Sequence, residues 1–272
     1  MRRRGALFHG VMIPLSVLWI APMVFVVLLA LRSFDDIAGR GIAALPHSFT
    51  LDGLRTAVGE GGLARALLNS ALVTAPAVIL TLALASAAAF ALSRYQIPGR
   101  RVILLLMLAG NLLPPQILLI PVARITESIG LYDTLVGLVA IHVAFGLGFY
   151  TFVLHGFMRS IPTEITDAAL IDGAGPTQVY ARIILPLCRP SLAALGALAT
   201  TWIFNDLIWS LTVLRSEAKF PVTAALLNLQ GGYTSNWNVV AAGSLLAALP
   251  TAVVFFAFQR HFVSGLLMGS NR

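Results

Sequence analysis

Charged side chains are scarce in this chain. Asp, Glu, Lys and Arg make up 11% of its 272 residues, whereas 58% of the residues are hydrophobic; a typical soluble domain carries about 25% charged residues. So few charges cannot cover the surface of a soluble protein of this length. The mean hydropathy of +0.89 points the same way. The composition therefore predicts an integral membrane protein.

Cysteine and lysine each occur once. With Cys188 alone, the chain cannot form an intramolecular disulfide or a cysteine-built zinc site, and a small buried apolar side chain is the expected role of this residue. The only lysine, Lys219, follows Ala218, whereas a nucleotide-binding P-loop requires Gly-Lys before Ser or Thr. HExxH and GxSxG motifs are also missing. We therefore expect no catalytic, metal or nucleotide site and no enzymatic activity in this chain.

Long apolar runs fill most of the sequence. A run of about 20 residues is needed to cross a hydrocarbon core roughly 30 Å thick, and six such runs are present: 10–31, 66–92, 102–122, 135–154, 191–214 and 239–258. The first follows three arginines but is too long for the apolar core of a signal peptide, so we expect it to remain as a span. The pattern predicts a single all-α membrane domain over residues 1–272, with six transmembrane helices.

Arginine is distributed unevenly among the loops. Six spans place both termini on one side of the membrane, and that side carries eleven Lys and Arg residues against seven on the other. The side richer in positive charge is cytoplasmic, so we expect both termini in the cytoplasm. Topology thus accounts for the net charge of +7, and no nucleic-acid partner is expected.

The polar stretch 159–190 interrupts these apolar runs and reads RSIPTEITDAALIDGAGPTQVYARIILPLCRP. A short helix is expected to begin near Ile161, because Pro162 suits a first helical turn and Glu164 complements the positive end of the helix dipole there. Glu164 and Asp167 are three residues apart and share one edge of this helix. The first half of the stretch therefore predicts an amphipathic helix with an acidic edge.

The second half of the stretch predicts a turn and another helix. Gly173 readily adopts the left-handed conformation that ends a helix, and Pro176 suits the first turn of the next one, which we place at about 177–185. Pro186 and Pro190 are expected to close that helix and lead into the fifth span. The whole stretch is therefore predicted to be a helix–turn–helix hairpin on the cytoplasmic face.

The spacing within this loop resembles a known family signature. Asp167-Ala168-Ala169, three residues, Gly173, nine residues and then Ile183-Ile184-Leu185-Pro186 is similar to the Glu-Ala-Ala, Gly, Ile-x-Leu-Pro loop of permease subunits in binding-protein-dependent ABC importers. The flanking residues, together with Asn69-Ser70 and Asn205-Asp206, look like the carbohydrate branch, of the maltose and glycerol-phosphate type.

The resemblance implies a permease subunit of an ATP-driven importer of a sugar or sugar-like solute in the inner membrane of a prokaryotic cell. In that family the loop is a coupling helix that binds a cytoplasmic ATPase, and the matching positions here are Glu164, Asp167, Ala168, Ala169 and Gly173. The implied partners are a homologous second permease, two ATPase subunits or domains that hold ATP and Mg, and an extracytoplasmic solute-binding protein. The chain itself is expected to bind no cofactor.

Polar side chains inside the spans are candidates for the solute pathway, because burying them in a membrane is costly. Those we select are Asn111, Gln116, Asn205 and Asp206, while His142 is interpreted as a contact between helices. Pro114, Pro115 and Pro121 predict a kink or a break in the third span. No Arg or Lys lies within a span as drawn, which favours a neutral sugar.

Asp206 leaves a second function open. An ionisable residue within a span also suits an ion-coupled secondary transporter, in which Asp206 would be the coupling carboxylate. That alternative predicts transport by this chain alone, whereas an importer permease needs an ATPase. Inverted repeats are typical of many secondary transporters, and this sequence has none that we detect.

Overall fold

The structure is a computed structural model that describes residues 2–229 and 236–268, and the side chains of residues 8–229 and 236–258. Arg272, which contributes to the predicted topology, lies outside the described residues. Within the described ranges the chain forms helices and turns and no β-strand. It divides into two compact units, one of residues 1–66 and 224–249 and the other of residues 67–223 and 250–272.

The helices follow one another through short connections. In chain order they are α1 (Arg2–Ala30), α2 (Phe34–Arg40), α3 (Asp52–Val58), α4 (Leu63–Arg94), α5 (Arg100–Leu112), α6 (Pro115–Ser128), α7 (Leu135–Ser160), α8 (Thr163–Ile171), α9 (Pro176–Leu187), α10 (Arg189–Phe204), α11 (Ile208–Val213), α12 (Val222–Asn228) and α13 (Trp237–Met268). Residues Val179–Ile184 of α9 are wound as a π-helix, and Glu217–Lys219 form a 3₁₀ turn.

Four described helices are each long and apolar enough to cross a membrane: Phe8–Ala30 of α1, α4, α7 and Trp237–Phe258 of α13. Two bent pairs, α5 with α6 and α9 with α10, pass the same test when each pair is taken together. The described residues thus provide up to six spans, as the apolar runs predicted. The all-α membrane architecture is confirmed.

The third predicted span, 102–122, is not one helix. The chain bends by 99° between α5 and α6, with Leu113 and Pro114 both in extended conformation. A proline forces the preceding residue out of the helical region and lacks the N–H that a continuing helix would use. The two consecutive prolines therefore break this span, which the sequence left open between a kink and a break.

The fifth predicted span, 191–214, also differs. The helix that begins at Arg189 ends at Phe204, and α11 begins only at Ile208. At the other end, Pro186 does not close the preceding helix: α9 continues to Leu187, and the chain bends by 74° before α10. Pro190 falls in the first turn of α10, where its missing N–H needs no partner.

The first unit packs α3 against neighbouring backbone. A Cβ atom at Gly53 would lie 3.0 Å from the carbonyl oxygen of Asn238 and 3.1 Å from that of Ala30, so a larger residue would crowd both carbonyl groups. Nearby, Arg32 is buried, and its Nε donates to Asp36 Oδ2 at 2.7 Å. The hydrogen bond from Arg32 lowers the pKa of Asp36 below its ordinary value. This buried ion pair fixes the start of α2.

The core of the second unit forms where α4, α7, α9 and α10 meet. Fully buried residues from these helices include Ala89, Leu154, Ile184 and Ala199. The helix α5 lies close along α7, since a Cβ atom at Gly148 would meet the carbonyl oxygen of Met107 at 2.3 Å. This packing places the end of α5 beside the middle of α7.

Candidate functional site

The predicted helix–turn–helix hairpin is confirmed. Its first helix, α8, spans Thr163–Ile171 and is followed by Gly173 in the left-handed conformation, with φ of 82°. The N–H of Ala174 donates to the carbonyl oxygen of Ala169 at 2.9 Å, which closes the turn. The second helix begins at Pro176, and the side chain of Gln178 accepts a hydrogen bond from the N–H of Gly175.

The two faces of α8 differ sharply in exposure. Four of the five residues expected to couple to an ATPase are exposed: Glu164, Asp167, Ala168 and Gly173. The fifth, Ala169, is only 8% exposed and belongs to the core of the second unit. Ile171 is 87% exposed and adds an apolar side chain to the open face. The exposed face of α8 therefore combines acidic and apolar groups, whereas Ala169 packs into the core of the second unit.

Arg94 joins the end of α4 to the end of α7, where the hairpin begins. Its Nη2 donates to the carbonyl oxygens of Met158 and Ile161, each at 3.0 Å. Sequence reasoning used Arg94 only as a topology charge, because the two acceptors lie more than 60 residues further along the chain and leave no local signal. The arginine ties the base of the hairpin to a second membrane-spanning helix.

Tyr180 provides a second link between the hairpin and α4. Its hydroxyl lies 2.7 Å from the hydroxyl of Ser86 in a hydrogen bond, and its ring lies 5.3 Å from that of Phe90. Tyr180 is part of the π-helical turn of α9, and such turns frequently occur at functional sites. Together, the contacts of Arg94 and Tyr180 hold the hairpin as an extension of α4 and α7.

A cavity of about 320 Å³ lies in the second unit, where the break between α5 and α6 meets α7, α10 and α11. Its walls include five aromatic side chains and three polar ones: Phe145, Phe149, Tyr150, Trp202 and Trp209, with Asn111, His142 and Asp206. Concave, mostly apolar sites with a few converging polar groups are typical of small-molecule binding. The cavity is therefore a candidate solute site.

Asp206 has two roles at this cavity. Its carboxylate accepts hydrogen bonds from the N–H groups of Trp209 at 3.2 Å and Ser210 at 3.0 Å, and from the Ser210 hydroxyl at 3.0 Å. These contacts cap the start of α11, as Asp commonly does at a helix N-terminus. The same carboxylate lies 3.7 Å from Nε2 of His142, an atom with no hydrogen-bond partner in the described structure. Asp206 thus both breaks the fifth predicted span and faces the cavity.

The structure divides the four predicted pathway residues. Asn111 and Asp206 line the cavity, whereas Gln116 and Asn205 do not. Gln116 is exposed in the first turn of α6, and the side-chain amide of Asn205 donates to the carbonyl oxygen of Thr201 at 2.8 Å, at the end of α10. Their place on a pathway stays a prediction.

Sequence reasoning missed the aromatic lining. Aromatic residues occur throughout the apolar runs, so composition gave no reason to select Phe149 or Trp202. The spacing of His142, Phe145 and Phe149 is a usable signal, because residues three, four and seven apart share one face of a helix. His142, interpreted from the sequence as a contact between helices, lines this cavity and also lies 3.7 Å from Asp206, which starts α11.

Comparison with known proteins identifies the class. Residues 79–267, which include both the hairpin and the cavity, match the family described as binding-protein-dependent transport system inner membrane component. The chain belongs to this family. It is therefore a membrane component of a transport system that depends on a binding protein, and the ion-coupled secondary transporter, our alternative, is set aside.

Two curated relatives are similar over most of this chain. The osmoprotective compounds uptake permease protein GgtD of Synechocystis sp. is 30% identical over 269 residues, which cover 96% of this chain and 90% of the relative. The alpha-glucoside transport system permease protein AglG of Rhizobium meliloti is 33% identical over 234 residues, which cover 84% of this chain and 62% of the relative. The family resemblance predicted from the loop is thereby confirmed.

A solved structure shares the fold. The crystal structure of a bacterial ABC transporter involved in the import of the acidic polysaccharide alginate contains a chain that matches with a TM-score of 0.81 and 22% sequence identity, over 96% of this chain and 97% of that chain. At this identity the likeness establishes the fold alone.

Proposed function

We propose that this chain is the permease subunit of an ATP-driven importer that moves a sugar or sugar-like solute from an extracytoplasmic binding protein into the cytoplasm. Membership in the binding-protein-dependent family supports the import system, and the alpha-glucoside permease among the relatives supports a carbohydrate solute. The observation that carries the coupling mechanism is the exposed acidic tip of α8. A second, homologous permease and two ATPase subunits or domains, which hold ATP and Mg, complete the transporter.

The exposed face of α8 is suited to a groove on an ATPase subunit. The carboxylates of Glu164 and Asp167 are free to pair with arginines of that partner through charge-assisted hydrogen bonds. Ala168 allows close approach, and the exposed Ile171 supplies apolar area for burial. Docking of the hairpin on an ATPase requires it to lie on the cytoplasmic side, and the distribution of arginine predicts both chain termini on that same side.

Movement of the hairpin would reach the spans through the contacts of Arg94 and Tyr180. Because these residues bond α4 to the end of α7 and to α9, a rigid displacement of α8 and α9 pulls on both membrane-spanning helices. The helix α7 carries three aromatic side chains and His142 in the cavity wall. Closure of the ATPase subunits is therefore expected to change the shape of the cavity.

Cysteine crosslinking tests the coupling contact. In a Cys188→Ala background, Ala168→Cys and Ala169→Cys are adjacent on α8 but differ in exposure, since Ala168 is exposed and Ala169 is 8% exposed. With a candidate ATPase subunit co-expressed, we expect nucleotide-dependent crosslinks from position 168 and few or none from position 169. Equal crosslinking from both positions would mean that α8 does not dock through its exposed face.

Uptake measurements test the energy source. The purified chain in vesicles with an ion gradient is expected to show no solute uptake, whereas the chain with its ATPase subunits, second permease and loaded binding protein takes up solute when ATP is added. Gradient-driven uptake by the chain alone, together with no crosslink at position 168, would contradict the proposal.

A further inference from the structure

The cavity in this subunit has a chemical character that narrows the solute class. We infer that it binds one neutral pyranose ring, by stacking on Trp202 and by hydrogen bonds to the Asp206 and His142 pair, and that it rejects uronic acids and other anionic sugars. This inference rests on the proposed function, since it assumes that the chain lies on the path of a sugar.

The aromatic wall supplies the surface for stacking. Trp202 is 59% exposed, and its ring lies 5.7 Å from that of Phe149 at an interplanar angle of 32°. At the same cavity, Phe145 stacks on Trp209, with ring centroids 4.9 Å apart and an interplanar angle of 26°. The C–H groups on the face of a pyranose are apolar and weakly positive, and aromatic faces are negative. One stacked and one tilted aromatic pair at one cavity therefore favour a flat, ring-shaped solute.

The polar wall contains two side chains, Asp206 and His142, that lie close together without forming a hydrogen bond to each other. Asp206 Oδ2 and His142 Nε2 are 3.7 Å apart, which is too far for a good hydrogen bond between them. His142 is 10% exposed, and its Nε2 has no partner in the described structure. A buried polar atom without a partner is unfavourable. A sugar hydroxyl, which both donates and accepts, would bond to Asp206 Oδ2, and to His142 Nε2 once the imidazole ring turns toward the cavity that it lines.

The charge of the cavity disfavours anions. No Lys or Arg is among the lining residues, so only His142 could carry a positive charge there. If His142 is protonated, Asp206 at 3.7 Å neutralises it, and if it is neutral, the pair carries a negative charge. In neither state would a uronate carboxylate find a cation to pair with, and burying an unpaired charge is costly. The alginate importer shares this fold, so the fold alone does not set the charge preference.

The size of the cavity limits how much of the solute it holds. Small-molecule sites commonly range over about 300–1,000 Å³, and this cavity, at about 320 Å³, is at the lower end. That volume suits a single sugar ring with its hydroxyls. A longer saccharide would leave its remaining rings outside this site.

Saturation-transfer difference NMR on the assembled transporter in nanodiscs tests the inference without the binding protein. The probes are methyl α-D-glucopyranoside and methyl α-D-glucopyranosiduronate, which differ only by a carboxylate in place of a hydroxymethyl group. We expect saturation transfer from aromatic protons to the neutral glycoside and none to the uronide. Trp202→Ala should weaken binding of the neutral glycoside about tenfold, while the control Trp19→Ala, at an exposed position on α1, should not.

Asp206→Asn separates the charge of this residue from its structural role. Asparagine caps a helix N-terminus about as well as aspartate, so α11 should be retained. Because a charge-assisted hydrogen bond to the sugar becomes a neutral one, we expect the neutral glycoside to bind about threefold more weakly than to wild type, and we expect new binding of the uronide. Equal binding of both glycosides by the wild-type transporter, no binding of either, or an unaltered signal in Trp202→Ala would overturn the inference.

ATP-dependent uptake by the complete transporter distinguishes the two levels of the proposal. Uptake of a sugar that persists unchanged in Trp202→Ala would refute the cavity site and leave the importer function standing. A wild-type transporter that takes up no sugar with its ATPase and binding protein would refute the proposed function, and the cavity inference with it.

Discussion

Asp133 joins the turn between α6 and α7 to residues 215–219, at the end of α7 opposite the hairpin. Its carboxylate accepts hydrogen bonds from the N–H groups of Arg215 at 2.9 Å and Ser216 at 3.0 Å, from the Ser216 hydroxyl at 2.6 Å, and from Lys219 Nζ at 2.9 Å. Its backbone φ is 52°, in the left-handed region. We predict that substitutions of Asp133 destabilise the second unit in a defined order.

The magnitude follows from these contacts. Two backbone amides and one hydroxyl would lose a charged acceptor, at about 1 kcal/mol each after allowance for access of water, while the partly exposed lysine contributes less than about 1 kcal/mol. A residue with a Cβ and no local hydrogen bond pays a further ~1 kcal/mol in the left-handed region. Asp133→Ala should therefore cost about 4 kcal/mol, Asp133→Gly about 3 kcal/mol, and Asp133→Asn about 1–2 kcal/mol, because Asn keeps an acceptor and tolerates this φ.

The single cysteine provides the assay. Cys188 is fully buried, so a thiol-reactive fluorogenic dye labels it only when the second unit opens, provided that the partner subunits carry no accessible cysteine. For domains of 150–250 residues, 1 kcal/mol corresponds to about 2–4 °C in the unfolding midpoint, so Asp133→Ala should lower the midpoint by roughly 10 °C. Three variants with midpoints indistinguishable from wild type, or an Asn variant as unstable as the Ala variant, would refute the reasoning.

The pH dependence of this stabilisation has a definite sign. The hydroxyl of Ser216, followed by the backbone N–H groups of Ser216 and Arg215 and by Lys219, holds the pKa of Asp133 well below its ordinary value. A lowered pKa in the folded state means that the stabilisation is complete above the unfolded pKa of about 3.9 and is lost as the pH falls toward the folded pKa. The difference in stability between wild type and Asp133→Asn should therefore be constant between about pH 5 and 8 and should narrow below about pH 4.

Three further predictions concern packing and coupling. Gly148→Ala should destabilise the protein by about 1–3 kcal/mol, because its Cβ would lie 2.3 Å from a backbone oxygen of α5. The control Gly156→Ala, in the same helix, meets no atom within 4 Å and should leave the stability unchanged. The thiol-labelling assay measures both variants. Arg94→Lys should lower the ratio of solute transported to ATP hydrolysed, since one ammonium group cannot reproduce the fixed fork geometry of the guanidinium. The control Arg101→Lys, at an exposed position, should leave this ratio unchanged. Equal ratios in the two variants would contradict the link between Arg94 and α7. Tyr180→Phe should cost about 1 kcal/mol for one hydrogen bond and should largely keep the ratio of solute transported to ATP hydrolysed, because the ring contact with Phe90 remains. A fall in this ratio as large as that of Arg94→Lys would show that the hydroxyl itself transmits the motion.

The hairpin was predictable because its signals are local. Pro162, Gly173 and Pro176 each act on the backbone of their own turn, through a missing N–H or a permitted positive φ, and the structure places the turn where these residues predict it. The faces of the hairpin were less predictable. The family signature gives Ala168 and Ala169 the same role, but packing within the second unit buries only Ala169.

The hydropathy pattern did not indicate the break in the fifth span. The run 191–214 is apolar throughout except at its centre, so composition predicts one helix. The structure ends that helix at Phe204 because Asp206 takes the N–H groups of Trp209 and Ser210 and starts a new helix. An aspartate followed by a short apolar run indicates a helix start. Here that local signal conflicts with the long apolar run, which predicts one continuous membrane-spanning helix.

By itself, the sequence determined the membrane class, up to six spans and the position of the hairpin, because apolar run length, proline and glycine act over one element at a time. Only the tertiary structure decided which side chains share a cavity or a contact. Trp202, His142 and Asn111 come from three helices, and Arg94 bonds carbonyl groups more than 60 residues away. Such contacts depend on how helices pack against one another, and no periodicity within a single apolar run records that packing.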